Sequence, residues 1–269
     1  MADKELVYEK EGNLAIITLN RPQMMNAWTN EMFSEMNDAF EDAARDAKVG
    51  AVILTGAGDR AFSSGADVRA MAASGTVEGR RGPPPSSEGR PSGQLLNSIL
   101  LFNFPKPTFA AVNGIAAGGG LCLAVKCDFR IASDKARFVS SYVSRGLVNG
   151  DGSSWFLIRV LGESKAMALM LTGDIIDAQE ALRIGLVNKV VPHEKLMEAT
   201  KEMAGKIAKG PPIAQSLIKR EVHRAALSMQ SLEMQHEFES YCQSQGSPEE
   251  RKEGFGSFLE RREPHFPGR

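Results

Sequence analysis

Apolar residues recur along the chain with two different periods. Between Thr29 and Arg45, Met32, Met36, Ala39, Phe40 and Ala43 fall three or four positions apart, which predicts a helix with one buried face, capped by Thr29 or Asn30. Leu6–Glu9 and Leu14–Leu19 predict two short strands joined at Glu11-Gly12-Asn13, a hairpin. Ala51–Thr55 and Thr108–Val112 are unbroken apolar runs, the pattern of fully buried strands. Leu121–Cys127 predicts a helix and Phe129–Ala132 a further strand, giving the alternation of a layered α/β core. From Ser164 the chain predicts mostly helix. Asp177 and Glu180 form a capping box, Gly185 stops that helix, and Val187–Val191 predicts a short strand. Helices are then expected at Glu194–Lys209, Ile213–Leu227, Leu232–Gln245 and Pro248–Arg261, broken at Pro211-Pro212 and Ser247-Pro248. The division expected is an α/β core over 1–200 and a helical region over 201–269 that packs on the core or on another subunit. One segment stands apart: 74–93 is rich in Gly, Pro, Ser and Arg with almost nothing to bury, and predicts a surface loop or lid.

Composition adds mainly exclusions. Lys and Arg number 32 against 33 Asp and Glu, a net charge of −1, so no global field draws in nucleic acid or an anionic membrane. The apolar stretch near Ile99 to Val125 is interrupted by Pro105-Lys106-Pro107 and by glycines, too broken to span a bilayer. The charged N-terminus lacks the features of a signal or transit peptide. Three cysteines (Cys122, Cys127 and Cys242) without CxxC spacing argue against a disulfide framework or a zinc site, and a cytoplasmic protein is expected.

Several motifs carry no chemistry. Gly56-Ala57-Gly58-Asp59-Arg60-Ala61 follows a strand but lacks an acidic residue ending a following strand, so it predicts a turn rather than a dinucleotide site. GxSxG and HExxH are absent, and the four histidines all lie in the last third, where surface or helix positions are expected. A Ser-His-Asp site needs a base beside its nucleophile, and the expected core supplies none. Two small-residue segments are more informative. Phe62-Ser63-Ser64-Gly65-Ala66-Asp67-Val68 bends just after a strand, and Val112-Asn113-Gly114-Ile115-Ala116-Ala117-Gly118-Gly119-Gly120 opens a helix with exposed N–H groups. Together they can place two donors around one oxygen, the layout of an oxyanion hole. Asp151 can serve as a general acid/base or as the N-cap of a helix starting near Ser153. Tyr142 can donate a hydrogen bond to developing charge, and Cys122 can form a small apolar wall.

Leu19-Asn20-Arg21-Pro22 with Asn26-Ala27, then FSSGADV, AAVNGIAAGGG with Cys127-Asp128, Leu171-Thr172-Gly173-Asp174, Gly185-Leu186-Val187 and the closing FLERREPHF stand in the order of the crotonase (enoyl-CoA hydratase/isomerase) superfamily, which the chain resembles over nearly its whole length. The resemblance implies an α/β fold, a spiral of ββα units with a C-terminal helical trimerisation region, forming homotrimers or hexamers. It implies that the backbone amides of Ala66 and Gly119 polarise an acyl-CoA thioester, with Met25, Ala66, Asp67, Val68, Arg69 and Gly119 along the coenzyme A path. Coenzyme A is then part of the substrate, and no separate cofactor or metal is implied. Typical hydratases of the family carry two glutamates at the positions of Cys122 and Tyr142, and this chain has neither. Several isomerases and a dehalogenase carry an aspartate one residue before the place of Asp151. The expected activity is enoyl-CoA isomerisation or hydration through a CoA-enolate, with proton transfer by Asp151. The alternatives are hydrolysis, ring opening, decarboxylation or dehalogenation of an acyl-CoA, and a CoA-binding scaffold without turnover.

Overall fold

The computed structural model describes residues 4–67, 100–145, 147, 149–150, 152–227, 247–260 and 262–266. Val68, Arg69, Asp151, the segment 74–93 and the helix expected at 232–245 lie outside the described residues. In chain order the first elements are β1 (Leu6–Glu11), β2 (Leu14–Leu19), α1 (Asn30–Arg45), β3 (Ala51–Gly56) and β4 (Ala61–Ser63). Next come β5 (Thr108–Val112), β6 (Ile115–Ala117), α2 (Gly119–Lys126), β7 (Phe129–Ser133) and β8 (Arg137–Val139). The remainder is α3 (Ser153–Leu161), α4 (Glu163–Thr172), β9 (Ile176–Asp177), α5 (Ala178–Ile184), β10 (Lys189–Val191), α6 (Leu196–Ala208), α7 (Pro212–Leu227) and α8 (Pro248–Glu260).

The main sheet has the order β1-β2-β3-β5-β7-β10. Only the β1–β2 hairpin is antiparallel; the other pairings are parallel. Successive strand residues face opposite sides, and here both sides are covered. Leu14, Ile16, Ala51, Ile53, Phe109 and Ala111 pack with Leu196 and Ala204 of α6. Ala15, Ile17, Val52, Leu54, Ala110 and Val112 belong to the other core, which also holds Met32, Met36 and Phe40 of α1 and Leu121 of α2. Two covered faces are why β3 and β5 read as continuous apolar runs rather than alternating ones. A large side chain fully buried like Phe40 contributes roughly 2–3 kcal/mol.

The second sheet, β4-β6-β8-β9, is made of strands of two or three residues, and the sequence pattern does not foreshadow it. Such strands are too short to show a period of two, and two of them lie inside the segments read as bends and glycine turns. This sheet carries the candidate site.

Other boundaries move for local reasons. Thr29 Oγ1 accepts the Met32 amide at 3.2 Å, so the helix begins at Asn30. Asp177 accepts the Glu180 amide at 2.8 Å, but the Glu180 carboxylate turns to Arg183, leaving only half of the expected capping box. Val187 donates to Ala181 O in the α5 terminus, which delays β10 to Lys189. A 3-10 turn at His193–Lys195 precedes α6.

Candidate active site

The Ala66 side is built from two loops laid against each other. Trp28 and Ala66 form a parallel bridge in which the Trp28 amide donates to Gly65 O and the Asp67 amide to Trp28 O, both at 3.0 Å. In such a bridge the N–H and C=O of Ala66 itself point the other way. The Ser64 amide donates to Met25 O at 3.0 Å, and Ser63 Oγ donates to Asn26 O while accepting the Gly65 amide. Met25 and Asn26 both take left-handed backbone angles, which bend this loop sharply. Asn26 is fully buried; its side chain accepts the Arg21 amide at 3.0 Å and donates to Ala57 O and Ala61 O. The Asp67 carboxylate, assigned by resemblance to the coenzyme A path, is paired with Arg21 at 3.1 Å.

The Gly119 side begins where β6 turns into α2. Gly118 has φ of +53° and ψ of −118°, open to glycine and strained for other residues. Its amide donates to Val139 O, and its carbonyl accepts the Cys122 amide, the first turn of α2. Gly119 is the first helical residue, so its amide has no acceptor a turn earlier. The two loops meet closely: a Cβ built on Gly65 would lie 3.0 Å from the Gly119 amide nitrogen. Gly65, at φ +92°, has no such atom, which permits the approach. Neither the Ala66 nor the Gly119 amide donates to another group among the described residues.

Tyr142 lies beside this junction. Its ring runs beside Gly118 and Gly150; Cβ atoms built on these glycines would each lie 3.9 Å from ring atoms. Ser140 Oγ donates to Asn149 Oδ1 at 2.9 Å, linking Asn149 to the residue after β8, and the Ser153 amide donates to Gly150 O at 2.9 Å. Gly152, in a left-handed conformation, holds the N-cap position of α3, and Asp151 lies outside the described residues. Cys122 is fully buried one turn into α2.

The structure also settles the motifs outside the cleft. Gly56 ends β3, and Ala57-Gly58 bends away toward β4. His193 sits in the turn before α6 with Nδ1 3.0 Å from Ser133 Oγ, a serine–histidine contact the sequence did not reveal. Ser133 is completely buried and its oxygen also accepts the Lys135 amide, so it serves a turn and cannot reach a substrate. His223 on α7 stacks on Phe102 and lies 3.5 Å from Asp128. Burial pushes the Asp128 carboxyl up, but His223, the Lys219 ammonium at 2.7 Å and the Thr108 amide together hold it below the usual carboxylate range. Burial, with Asp128 adding to it, pushes the Cys127 thiol up to about 12, leaving an unreactive thiol. No group of three or more metal-ligating side chains occurs among the described residues.

A close approach of the Gly65 and Gly119 loops beside a short second sheet, on a parallel-sheet α/β core, fits a crotonase-type scaffold. Comparison with known proteins agrees. The chain matches the enoyl-CoA hydratase/isomerase family over residues 9–269. It is 39% identical over 259 residues to a short-chain-enoyl-CoA hydratase of Clostridium acetobutylicum, covering 96% of this chain and 95% of the relative. It is 36% identical to a crotonyl-CoA hydratase of Syntrophomonas wolfei, covering 99% of each. Among solved structures, an enoyl-CoA hydratase from Polaromonas sp. JS666 superposes with a TM-score of 0.87 at 31% identity, covering 97% of this chain and 99% of that one. The chain belongs to the enoyl-CoA hydratase/isomerase family.

Proposed function

We propose that the protein adds water to, or shifts the double bond of, an enoyl-CoA thioester through an enolate held by the Ala66 and Gly119 amides. The supporting observation is the close approach of the two loops that carry these amides, at the contact of Gly65 with Gly119, with neither amide donating to another described group. In hydration, water oxygen bonds to Cβ, the double-bond pair moves toward the carbonyl, and negative charge collects on the thioester oxygen. Two donors aimed at that oxygen stabilise this charge, each worth about 3–4 kcal/mol. Asp151 takes the proton from water and returns one to Cα; in isomerisation it carries a proton between Cγ and Cα. Its chain neighbours support that role: Gly150 lies against the Tyr142 ring and Gly152 starts α3. In this reading Tyr142 donates to the same developing charge, and Cys122 forms a small apolar wall. Met25, Asp67, Val68 and Arg69 belong with the coenzyme A path. The names of the curated relatives favour hydration over hydrolysis, decarboxylation, dehalogenation or a scaffold role.

Turnover of crotonyl-CoA, followed by product mass, tests this reading. Ala66→Pro deletes one donor and is expected to lower kcat by about 10²–10³-fold while the protein stays folded. Asp151→Asn is expected to suppress formation of the water adduct. Undiminished turnover in Ala66→Pro overturns the two-amide mechanism, and in Asp151→Asn it removes that carboxylate from the chemistry.

Association into trimers belongs to the same proposal. Met167, Leu171 and Ile175 on and after α4, and Ile218 and Val222 on α7, are exposed apolar side chains that a second copy would cover. Mass measurement by light scattering decides it; a monomer removes the idea. Cys122 and Cys127, buried without a disulfide among the described residues, fit a reducing cytoplasm.

A further inference from the structure

Ser63 is completely buried and touches both loops of the junction. Its main chain lies against Gly120, the second residue of α2, where a built Cβ would overlap the Ser63 carbonyl oxygen. Its hydroxyl donates to Asn26 O at 2.8 Å and accepts the Gly65 amide at 3.1 Å. Gly65 is therefore held at both ends: Ser63 Oγ takes its N–H, and its carbonyl accepts the Trp28 amide at 3.0 Å. Gly65 sits at φ +92°, and glycine takes negative φ just as readily, so these bonds rather than the residue select the angle. The peptide that follows is trans and planar, so the Ala66 N–H points opposite to the Gly65 carbonyl. Fixing Gly65 thus fixes the direction of the Ala66 amide.

We infer that Ser63 is a positioning residue for catalysis: its hydroxyl locks the Gly65 conformation that directs the Ala66 N–H, while its main chain keeps that loop against the start of α2. The inference rests on the two-amide reading above and names what sets its geometry. Water cannot take over the hydroxyl's bonds, because Ser63 has no exposed surface. Without the hydroxyl, Gly65 is held at its carbonyl end only. A donor that strays from the thioester oxygen costs most in the enolate-like transition state, where the negative charge exists, so kcat falls while KM hardly moves. A hydroxyl that serves only the fold predicts a lower melting temperature with unchanged kcat per folded enzyme.

Steady-state kinetics with crotonyl-CoA, alongside melting temperatures, on Ser63→Ala, Ser63→Cys, Ala66→Pro and the double variant Ser63→Ala/Ala66→Pro separate the two. Ser63→Ala is expected to lower kcat per folded enzyme by about tenfold, with KM within about twofold of the parent. Ser63→Cys keeps the shape but bonds weakly through sulfur, and falls between the parent and Ser63→Ala. In the Ala66→Pro background no N–H remains to be directed, so adding Ser63→Ala is expected to lower kcat by no more than about threefold further. A kcat loss below about threefold in Ser63→Ala alone, or a further loss above about threefold in the double variant, overturns the inference. Should Ser63→Ala fail to fold, Ser63→Cys decides: a lower kcat at unchanged KM supports the inference and an unchanged kcat overturns it. Undiminished turnover in Ala66→Pro overturns the two-amide mechanism itself, whereas an impaired Ala66→Pro beside an unimpaired Ser63→Ala overturns only the Ser63 role.

Discussion

The Ala66 amide sits in a loop whose neighbouring amides, Ser64, Gly65 and Asp67, are each tied by a hydrogen bond, whereas the Gly119 amide opens a helix whose eight residues are all buried. The first flank is a polar template: Asn26, Ser63, the Trp28 backbone and the Arg21–Asp67 pair. The second is a volume constraint, with α2 pressed so close to β4 that only glycine fits at its second position. One amide is thus held by directional bonds and the other by steric fit. A bonded loop is damaged by losing a partner, and a packed helix start by gaining an atom.

Adding an atom is the severest test of that contrast. A Cβ on Gly120 would overlap the Ser63 carbonyl oxygen, a backbone atom that cannot swing aside. Gly120→Ala is expected to cost at least about 4 kcal/mol in denaturant unfolding, or to prevent accumulation of folded protein. The packed flank has a polar anchor in Asp128, just beyond the far end of α2, bonded to the Thr108 amide and to Lys219. Asp128→Asn is expected to cost about 3 kcal/mol at neutral pH by stranding the buried Lys219 charge. Because the folded carboxyl is held below its unfolded value near 4, its contribution is fully present above that pH and drains away as pH falls through the folded value. Stability measured downward from pH 5 therefore drops in the parent, and less so in Asp128→Asn. The smallest effect belongs to Asn26→Ala, about 2 kcal/mol by thermal or chemical unfolding. Ala57 O would lose its Asn26 donor, but Ala61 O keeps a second bond from Asn113. If Asn26→Ala proved costlier than Gly120→Ala, the contrast between bonded and packed flanks would be wrong.

The sequence revealed what periodicity can carry. The amphipathic face of α1, the apolar runs of β3 and β5 and the helices from α6 onward follow from burial on one or two faces, and the structure has them within a residue or two. The glycine segment 118–120 and the bend at Ser64–Ala66 were legible as places where backbone approaches closely. The second sheet was not, because three-residue strands leave no pattern. Nor was the Arg21–Asp67 pair, whose partners are far apart in sequence and joined only once Trp28 and Ala66 align. His193 against Ser133 was hidden for the same reason: the two meet across the β7–β10 edge of the sheet.

Beyond the first hairpin, each strand pairing of the main sheet is parallel and so joins segments that must cross over before they touch. Such contacts demand loop-closure entropy in advance of any reward, and chains rich in them fold slowly. The junction of the Gly65–Ala66 and Gly118–Gly119 loops, which rests on segments far apart in sequence, is therefore completed at the end of that process. A chain halted earlier would hold much of its helix yet bind nothing, and its open strand edges would invite association with other unfinished chains.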